Sequence, residues 1–303
     1  MRKVLGSLFA LGLLAAQAET IVFYDFADGE AGADVTGVSN RADDGATFNG
    51  TASVADGGAV KYSDDVPGMA LYANRDAMTP LATSWKSIEF SVTGGKGAVI
   101  SVPGLGSRLC ELGMEGDFTL EFFAKYEEAQ NWTDFLKFYF QDASDNNRQA
   151  KYVVWGNNFG LQNTAANPTT FGAAVDRWYH LAAVYTAADG NWRMYSNGIL
   201  FATQQNKILG AGSTKALTLG GQSASAEAFA GKLAALRVSS GALEPSQFMK
   251  VVNGEPPVLP GAIAFYPFDE AAPGAQVEKV DNAMDALRHA GSAKSVNGGA
   301  MPV

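Results

Sequence analysis

Cysteine, histidine and basic charge are scarce in this chain. Cys110 is the single cysteine among 303 residues, so no disulfide can close within the chain, even in an oxidising compartment. With Leu109 beside it, the thiol reads as a small buried core group. Histidine occurs twice, at His180 and His289. One cysteine and two histidines exclude a zinc site built from the usual nitrogen and sulfur ligands. Lysine and arginine number 22 against 31 acidic residues, a net charge of −9, and no basic stripe interrupts the balance. Nucleic acid and anionic membranes are therefore poor partners. No glycine-rich turn leads from a strand into a helix, which leaves nucleotide phosphates without a cradle.

Long hydrophobic runs are also lacking. The longest, Val4 to Ala15, is too short for a membrane span. Arg2 and Lys3 precede it and Ala16-Gln17-Ala18 follows it, which is the layout of a secretory signal with an A-x-A cleavage site. Residues 1–18 are thus expected to be a signal peptide of the short bacterial kind, and the mature chain to start at Glu19, secreted or held at the cell surface. Without the signal, 20 basic residues face 31 acidic ones, a net charge of −11. No cysteine follows the cleavage site to carry a lipid.

Helical periodicity is rare, and what is present is strand. Thirty-four glycines separate short aromatic and β-branched runs, the composition of an all-β sandwich. The most legible stretch is 176–205. Residues 178–185 alternate two apolar sets, Trp178, His180, Ala182 and Val184 against Tyr179, Leu181, Ala183 and Tyr185, so both faces of this strand are expected to be covered. Asp189-Gly190 turns the chain into 191–196, and Asn197-Gly198 turns it into 199–205. An Asn-Gly pair suits a hairpin because both turn residues need positive φ. Other strands are expected over 20–26, 47–53, 59–62, 69–73, 88–92, 98–102, 118–126, 133–141, 149–155, 216–219 and 232–239. One short C-terminal helix is expected at 245–252, with Pro245 opening it and Gly254 ending it.

Residues 253–261 (NGEPPVLPG) read as a proline-stiffened linker. Beyond it, IAFYPF at 263–268 matches IVFYDF at 21–26. Gly274-Ala275 and Val277 match Gly32-Ala33 and Val35, and NGGA at 297–300 matches DGGA at 56–59. Residues 262–303 are expected to be the opening of a second copy of the 19–252 domain, incomplete and without its central strands. Such a segment is expected to pair with another domain or chain.

The central motifs, W-Y-H-L-A-A-V-Y and M-Y-S-N-G-I-L, resemble the laminin-G-like domains of the concanavalin A-like lectin and glucanase superfamily. DFTLEFFAK at 117–125 resembles an early core strand of those domains. FAGKLAALRVSSGALEPSQF at 229–248 resembles their closing strand and the helix after it. The resemblance covers residues 20–252 and implies a jelly-roll sandwich of two antiparallel sheets. It also implies that Trp178 and His180 are core residues, and that calcium could sit in a rim loop.

Chemistry-bearing constellations are few. Glu115, Asp117 and Glu121 resemble the acidic clusters of glucanases but have the wrong spacing: six strand residues span about 20 Å, against about 5–9.5 Å between the carboxyls of glycosidases. Glu121 then reads as an outward strand residue and the other two as turn acids. Asp142, Asp145 and Asn147 lie in an oxygen-rich loop that could hold calcium, although it lacks the EF-hand glycine and distal glutamate. Trp132 in a polar turn, and Trp155 beside Asn157 and Asn158, combine aromatic faces with amides as sugar sites do; Trp85 is a weaker candidate.

The leading expectation is a non-catalytic module that binds carbohydrate or another extracellular ligand, part of a lectin-like tandem-repeat protein. A structural or adhesive protein-contacting domain is the alternative, and a glycoside hydrolase stands third. A chain of residues 19–260 should be soluble and unfold in one cooperative step in urea; aggregation or a non-cooperative transition would refute the boundary.

Overall fold

The computed structural model of the chain describes residues 18–42, 48–67, 72–74, 79–80, 85–127, 130–164 and 167–251. The expected signal peptide, linker and second-copy segment lie outside them. The strands are, in chain order, β1 (Thr20–Tyr24), β2 (Gly37–Val38), β3 (Gly50–Val54), β4 (Ala59–Ser63), β5 (Tyr72–Asn74), β6 (Thr79–Pro80), β7 (Ser87–Ser91) and β8 (Ala98–Val102). Helix α1 (Leu105–Glu115) leads into β9 (Phe118–Tyr126), β10 (Gln130–Gln141), β11 (Arg148–Gly156), β12 (Asn158–Gln162) and β13 (Thr169–Gly172). Then come β14 (Tyr179–Thr186), β15 (Asn191–Ser196), β16 (Ile199–Gln205), β17 (Gly210–Ala211), β18 (Leu217–Leu219) and β19 (Gly231–Ser240).

Two antiparallel sheets face each other as a jelly-roll sandwich. The first runs β16-β15-β14-β9-β19-β7-β4, with β1 also on β19. The second runs β13-β12-β11-β10-β18-β8-β3-β2, with β17 also on β10. Strands adjacent in space are often distant in sequence, so the chain repeatedly crosses between the sheets.

The core between the sheets follows the period-two pattern. Phe118, Leu120, Phe122, Ala124 and Tyr126 of β9 point inward, as do Tyr179, Leu181, Ala183 and Tyr185 of β14. Trp192 fills the centre, edge-on to Phe118 at 5.7 Å, with its indole N–H donated to the Asn206 carbonyl at 2.8 Å. Ala182 and Val184 on the other face of β14 are buried under Leu243 and Phe248, so that strand is covered on both sides. Asn197 and Gly198 sit at φ 50° and 76°, as the hairpin requires.

Two departures from the sequence reading concern helices. The main helix is α1, which buries Leu105, Leu109, Cys110 and Leu112. Its apolar spacing is helical, but Gly106 and Gly113 lower its intrinsic propensity by about 1 kcal/mol each. Gly106 is needed there, because a Cβ would lie 2.8 Å from the Ala216 carbonyl oxygen. Cys110 is buried as expected, and burial pushes its thiol up to about 12. The expected helix at 245–252 is only a 3-10 turn over Pro245–Gln247. Tertiary hydrogen bonds take its backbone groups: Arg237 donates to the Gln247 carbonyl at 2.8 Å, and the Met249 amide donates to Glu121 at 2.8 Å.

Glu121 is also a correction. It lies on the outer face of β9 but is fully buried, because residues 241–251 fold over it. The Arg237 guanidinium donates to its Oε1, and His180 Nε2 lies 2.8 Å from its Oε2. Burial would raise the Glu121 carboxyl, but the His180 hydrogen bond and the Arg237 charge hold it below its ordinary value. A carboxyl depressed in the folded state stabilises the fold above its unfolded value, near 4.5, and loses that contribution as pH falls through the lower folded value. Arg237→Ala should therefore destabilise the domain by about 3–5 kcal/mol by leaving a buried charge uncompensated. Urea titrations at pH 7 and pH 3.5 check both points; a near-neutral effect at pH 7 would show that the network is dispensable.

Candidate functional site

The site candidate grows from an irregularity in β10. Its pairing with β11 shifts register twice, between Asn131 and Thr133 and between Asp134 and Leu136. A bulge inserts an extra residue and re-aims a side chain. At the first shift that residue is Trp132, held at φ 56°. Asn131 pairs with Trp155 across the strands, so the bulge swings Trp132 onto Trp155. Their ring centroids are 5.0 Å apart at an interplanar angle of 31°. Both tryptophans are half-buried. The Asn158 side-chain amide donates to the Trp155 carbonyl at 3.1 Å. Asn157 is exposed next to it, and its carbonyl accepts the Ala173 amide at 3.1 Å. Trp132, Trp155, Asn157 and Asn158, picked from sequence as sugar contacts, thus form one ledge.

A compact charge cluster supports the ledge. Lys151 Nζ lies 5.7 Å from the centroid of Trp132 and 3.1 Å from Asp134 Oδ1. Lys137 Nζ lies 3.0 Å from Asp134 Oδ2 and donates to Gln222 at 2.7 Å. Glu227 approaches both ammonium groups, at 3.6 and 3.5 Å, and its carbonyl accepts the Asp134 amide at 3.0 Å. Burial, with the hydrogen bond to Glu227, pushes the Asp134 carboxyl up to about 7. Burial would raise Glu227 too, but Asp134, Lys151 and Lys137 hold it below its ordinary value. Glu227, like Trp132, has a left-handed backbone, φ 52°. Each such residue costs about 1–3 kcal/mol and persists only where its surroundings hold it. None of the cluster was singled out from sequence. Lys137 and Lys151 are ordinary outward strand positions, and Glu227 reaches them from a loop about 90 residues further along the chain.

The oxygen-rich loop is closely hydrogen-bonded. Asp142 Oδ1 accepts from the amides of Ser144 and Asp145, both at 2.7 Å. Its Oδ2 accepts from Arg148 at 2.7 Å and Asn206 at 3.0 Å. These donors, against the effect of burial, hold the carboxyl well below the usual range. Asn147 Oδ1 accepts from the Ser213 amide and hydroxyl, while Asp145 accepts the Asn147 amide at 2.8 Å. Asp142, Asp145 and Asn147 thus fasten their loop to neighbouring segments. Among the described residues, no three acidic, histidine or cysteine side chains are grouped to hold a metal ion.

Trp85, the weaker sugar candidate, is fully buried in a small cluster with Phe23 and Phe123. The acidic trio is dispersed: Glu115 ends α1, Asp117 accepts the Ala187 amide at 2.8 Å, and Glu121 is buried under the C-terminal segment.

A second concavity, unforeseen from sequence, opens on the outer side of the first sheet. It encloses about 540 Å³ between Phe123, Trp178, His180, Phe248, Met249 and Lys250. Trp178, expected in the core, is half-buried at its wall. It precedes β14 and shares the outer face of His180, and its indole N–H is donated to Asp65 at 3.0 Å. His180 is structural, as expected, through its bond to Glu121. The alternation of 178–185 shows this outward set, but the opposite wall exists only because residues 245–251 return over the sheet.

With the fold and these surfaces defined, the class is clear: a two-sheet β-sandwich of the lectin type. The family model described as the concanavalin A-like lectin/glucanases superfamily (Laminin_G_3) matches residues 93–248, just over half of the chain, and the chain belongs to that family. Among solved structures it is similar to domain 4 of AbnA, a GH43 extracellular arabinanase from Geobacillus stearothermophilus, in complex with arabinotriose. That match has 20% identity and a TM-score of 0.49, and covers 76% of this chain and 96% of that one. Another is botulinum neurotoxin type C, whose cell entry depends on two ganglioside molecules: 12% identity, TM-score 0.46, 75% of this chain and 49% of that one. A third is Trypanosoma rangeli sialidase in complex with sialic acid: 13% identity, TM-score 0.46, 75% of this chain and 31% of that one. The chain therefore spans about half or less of the second and third. No curated protein matches it. No helix among the described residues is long and apolar enough to cross a membrane.

With every Asp142 oxygen turned to an N–H donor, calcium at millimolar concentration and a chelator should give melting temperatures within about 1 °C of each other. A ligand present at 100 times its Kd would add about 2.7 kcal/mol, so a clear calcium-dependent rise would restore the metal site.

Proposed function

We propose that this protein is a secreted, non-catalytic carbohydrate-binding module whose contact surface is the Trp132–Trp155 ledge. The observation that carries the reading is the pairing of these two rings at a bulge whose strain the underlying charge cluster sustains. Adjacent half-buried indoles offer an apolar surface for the C–H face of a sugar ring, and the exposed amide of Asn157 offers hydrogen bonds to its hydroxyls.

The absence of catalysis is part of the proposal and is supported by what the carboxylates do. Glu115, Asp117 and Glu121 share no cleft. Asp134 is buried, and both it and Glu227 are turned to the ammonium groups of Lys137 and Lys151 rather than to an open cleft. Secretion is supported by the signal-like residues 1–18, and membership of a tandem array by the sequence match between 21–26 and 263–268.

A second reading, a protein-contacting adhesive domain, has one observation in its favour. Edge strand β16 exposes Ile199 at 72% and Leu200 at 49%, and exposed apolar edges invite strand pairing.

A broad glycan array separates the two. Trp155→Ala should keep the fold and weaken binding of any glycan hit by about tenfold or more, equivalent to about 1.4 kcal/mol. Unchanged binding would overturn the ledge as the contact surface. Silence on every glycan, with self-association that Ile199→Lys abolishes, would favour the adhesive reading.

A further inference from the structure

The concavity on the outer side of the first sheet is a built feature with no part in the ledge. Three aromatic rings, those of Phe123, Trp178 and Phe248, line it, with Met249 and Pro245 beside them. Its fixed side is rigid. Trp178 is tied to Asp65, and Lys125 Nζ lies 5.8 Å from the Trp178 ring. His180 is tied to Glu121. Asn197 Oδ1 accepts the His180 amide at 2.9 Å, so the Asn197 side-chain N–H groups remain as donors at the cavity.

Its lip is formed by Lys250 and Val251, the last residues before the chain continues as VNGEPPVLPG. Two features of those ten residues fit the cavity beside them. Asn253-Gly254 is a dipeptide that reverses a chain tightly. Reversal there would lay residues 256–260 back along 247–251, with Val258 and Leu259 opposite Met249 and Phe248. After the reversal comes Pro257-Val258-Leu259-Pro260, a P-x-x-P segment. Such segments adopt a polyproline II helix with three residues per turn, which puts the two prolines on one edge and loses little entropy on docking to an aromatic-lined groove. A polyproline II helix makes no internal hydrogen bonds, so its carbonyls would be free to accept from the Asn197 amide.

We propose that this cavity is a docking site for an extended proline-rich peptide, and that its occupant is the chain's own segment 256–260. The tether is short, five residues from Val251 to Pro256, so the segment is present at an effective concentration of about millimolar and a weak intrinsic affinity is enough. Docked, it covers Trp178 and fixes the direction in which residues after 260 leave the domain.

Hydroxyl-radical footprinting of the full chain, read by mass spectrometry, tests this residue by residue. The comparison is with a Val258→Asp/Leu259→Asp variant and, separately, a Pro257→Gly/Pro260→Gly variant, neither of which alters the domain itself. Docking predicts that Trp178 oxidises about threefold or more faster in both variants, since removing favourable contacts at millimolar effective concentration empties the site. Trp132 and Trp155 serve as controls whose rates should not move. Equal Trp178 rates in parent and variants would overturn the proposal. Protection that fades on dilution of the parent chain would also overturn it, by showing that a second molecule supplies the segment.

Discussion

The buried carboxylate of Glu121 is the interaction on which the outer side of the first sheet depends. One strand residue binds three elements: Arg237 from β19, His180 from β14 and the Met249 amide from the C-terminal segment. A charge in that position has no water to turn to, so each partner is needed where it is. Through Met249 and Gln247 the network sets the path of residues 245–251. That path covers the outer face of β14, cuts short the expected helix and raises the second wall of the aromatic cavity.

The other sheet shows the same logic with a different result. Asp134 is buried between two lysines, and the cluster lies beneath the bulge that turns Trp132 toward Trp155. In the first sheet the buried charges fasten a segment down. In the second they hold a surface in a conformation that the local backbone disfavours. The strained backbone of the ledge persists because neighbouring groups hold it in place.

The sandwich was legible because its strands carry clean alternation and its hairpins carry Asp-Gly and Asn-Gly; β8, β9, β15 and β16 fall where the pattern puts them. What escaped depended on partners far away in sequence. Helix α1 was hidden by two glycines, at least one of which is dictated by contact with residue 216. The 245–252 helix failed because side chains from β9 and β19 claim its amide and carbonyl. Trp132 and Trp155 were recognisable as candidates from their polar surroundings, but their stacking needs a bulge that no local signal announces. The oxygen-rich loop was legible only as composition, which is the same whether the oxygens face a cation or neighbouring N–H groups.

The first and last strands of the domain have a mechanical consequence. β1 lies antiparallel to β19, with Thr20 opposite Ser239, and the backbones of Glu19 and Ser240 are hydrogen-bonded at 2.8 Å. Tension applied through residues 19 and 251 would meet the segment clamped on Glu121 first. Once that yields, the load falls on the shared end of two strands and opens their bonds one at a time, like a zipper, rather than all together in shear. The clamp therefore makes the outer segment, and not the sheet, the part of this domain that resists being pulled apart.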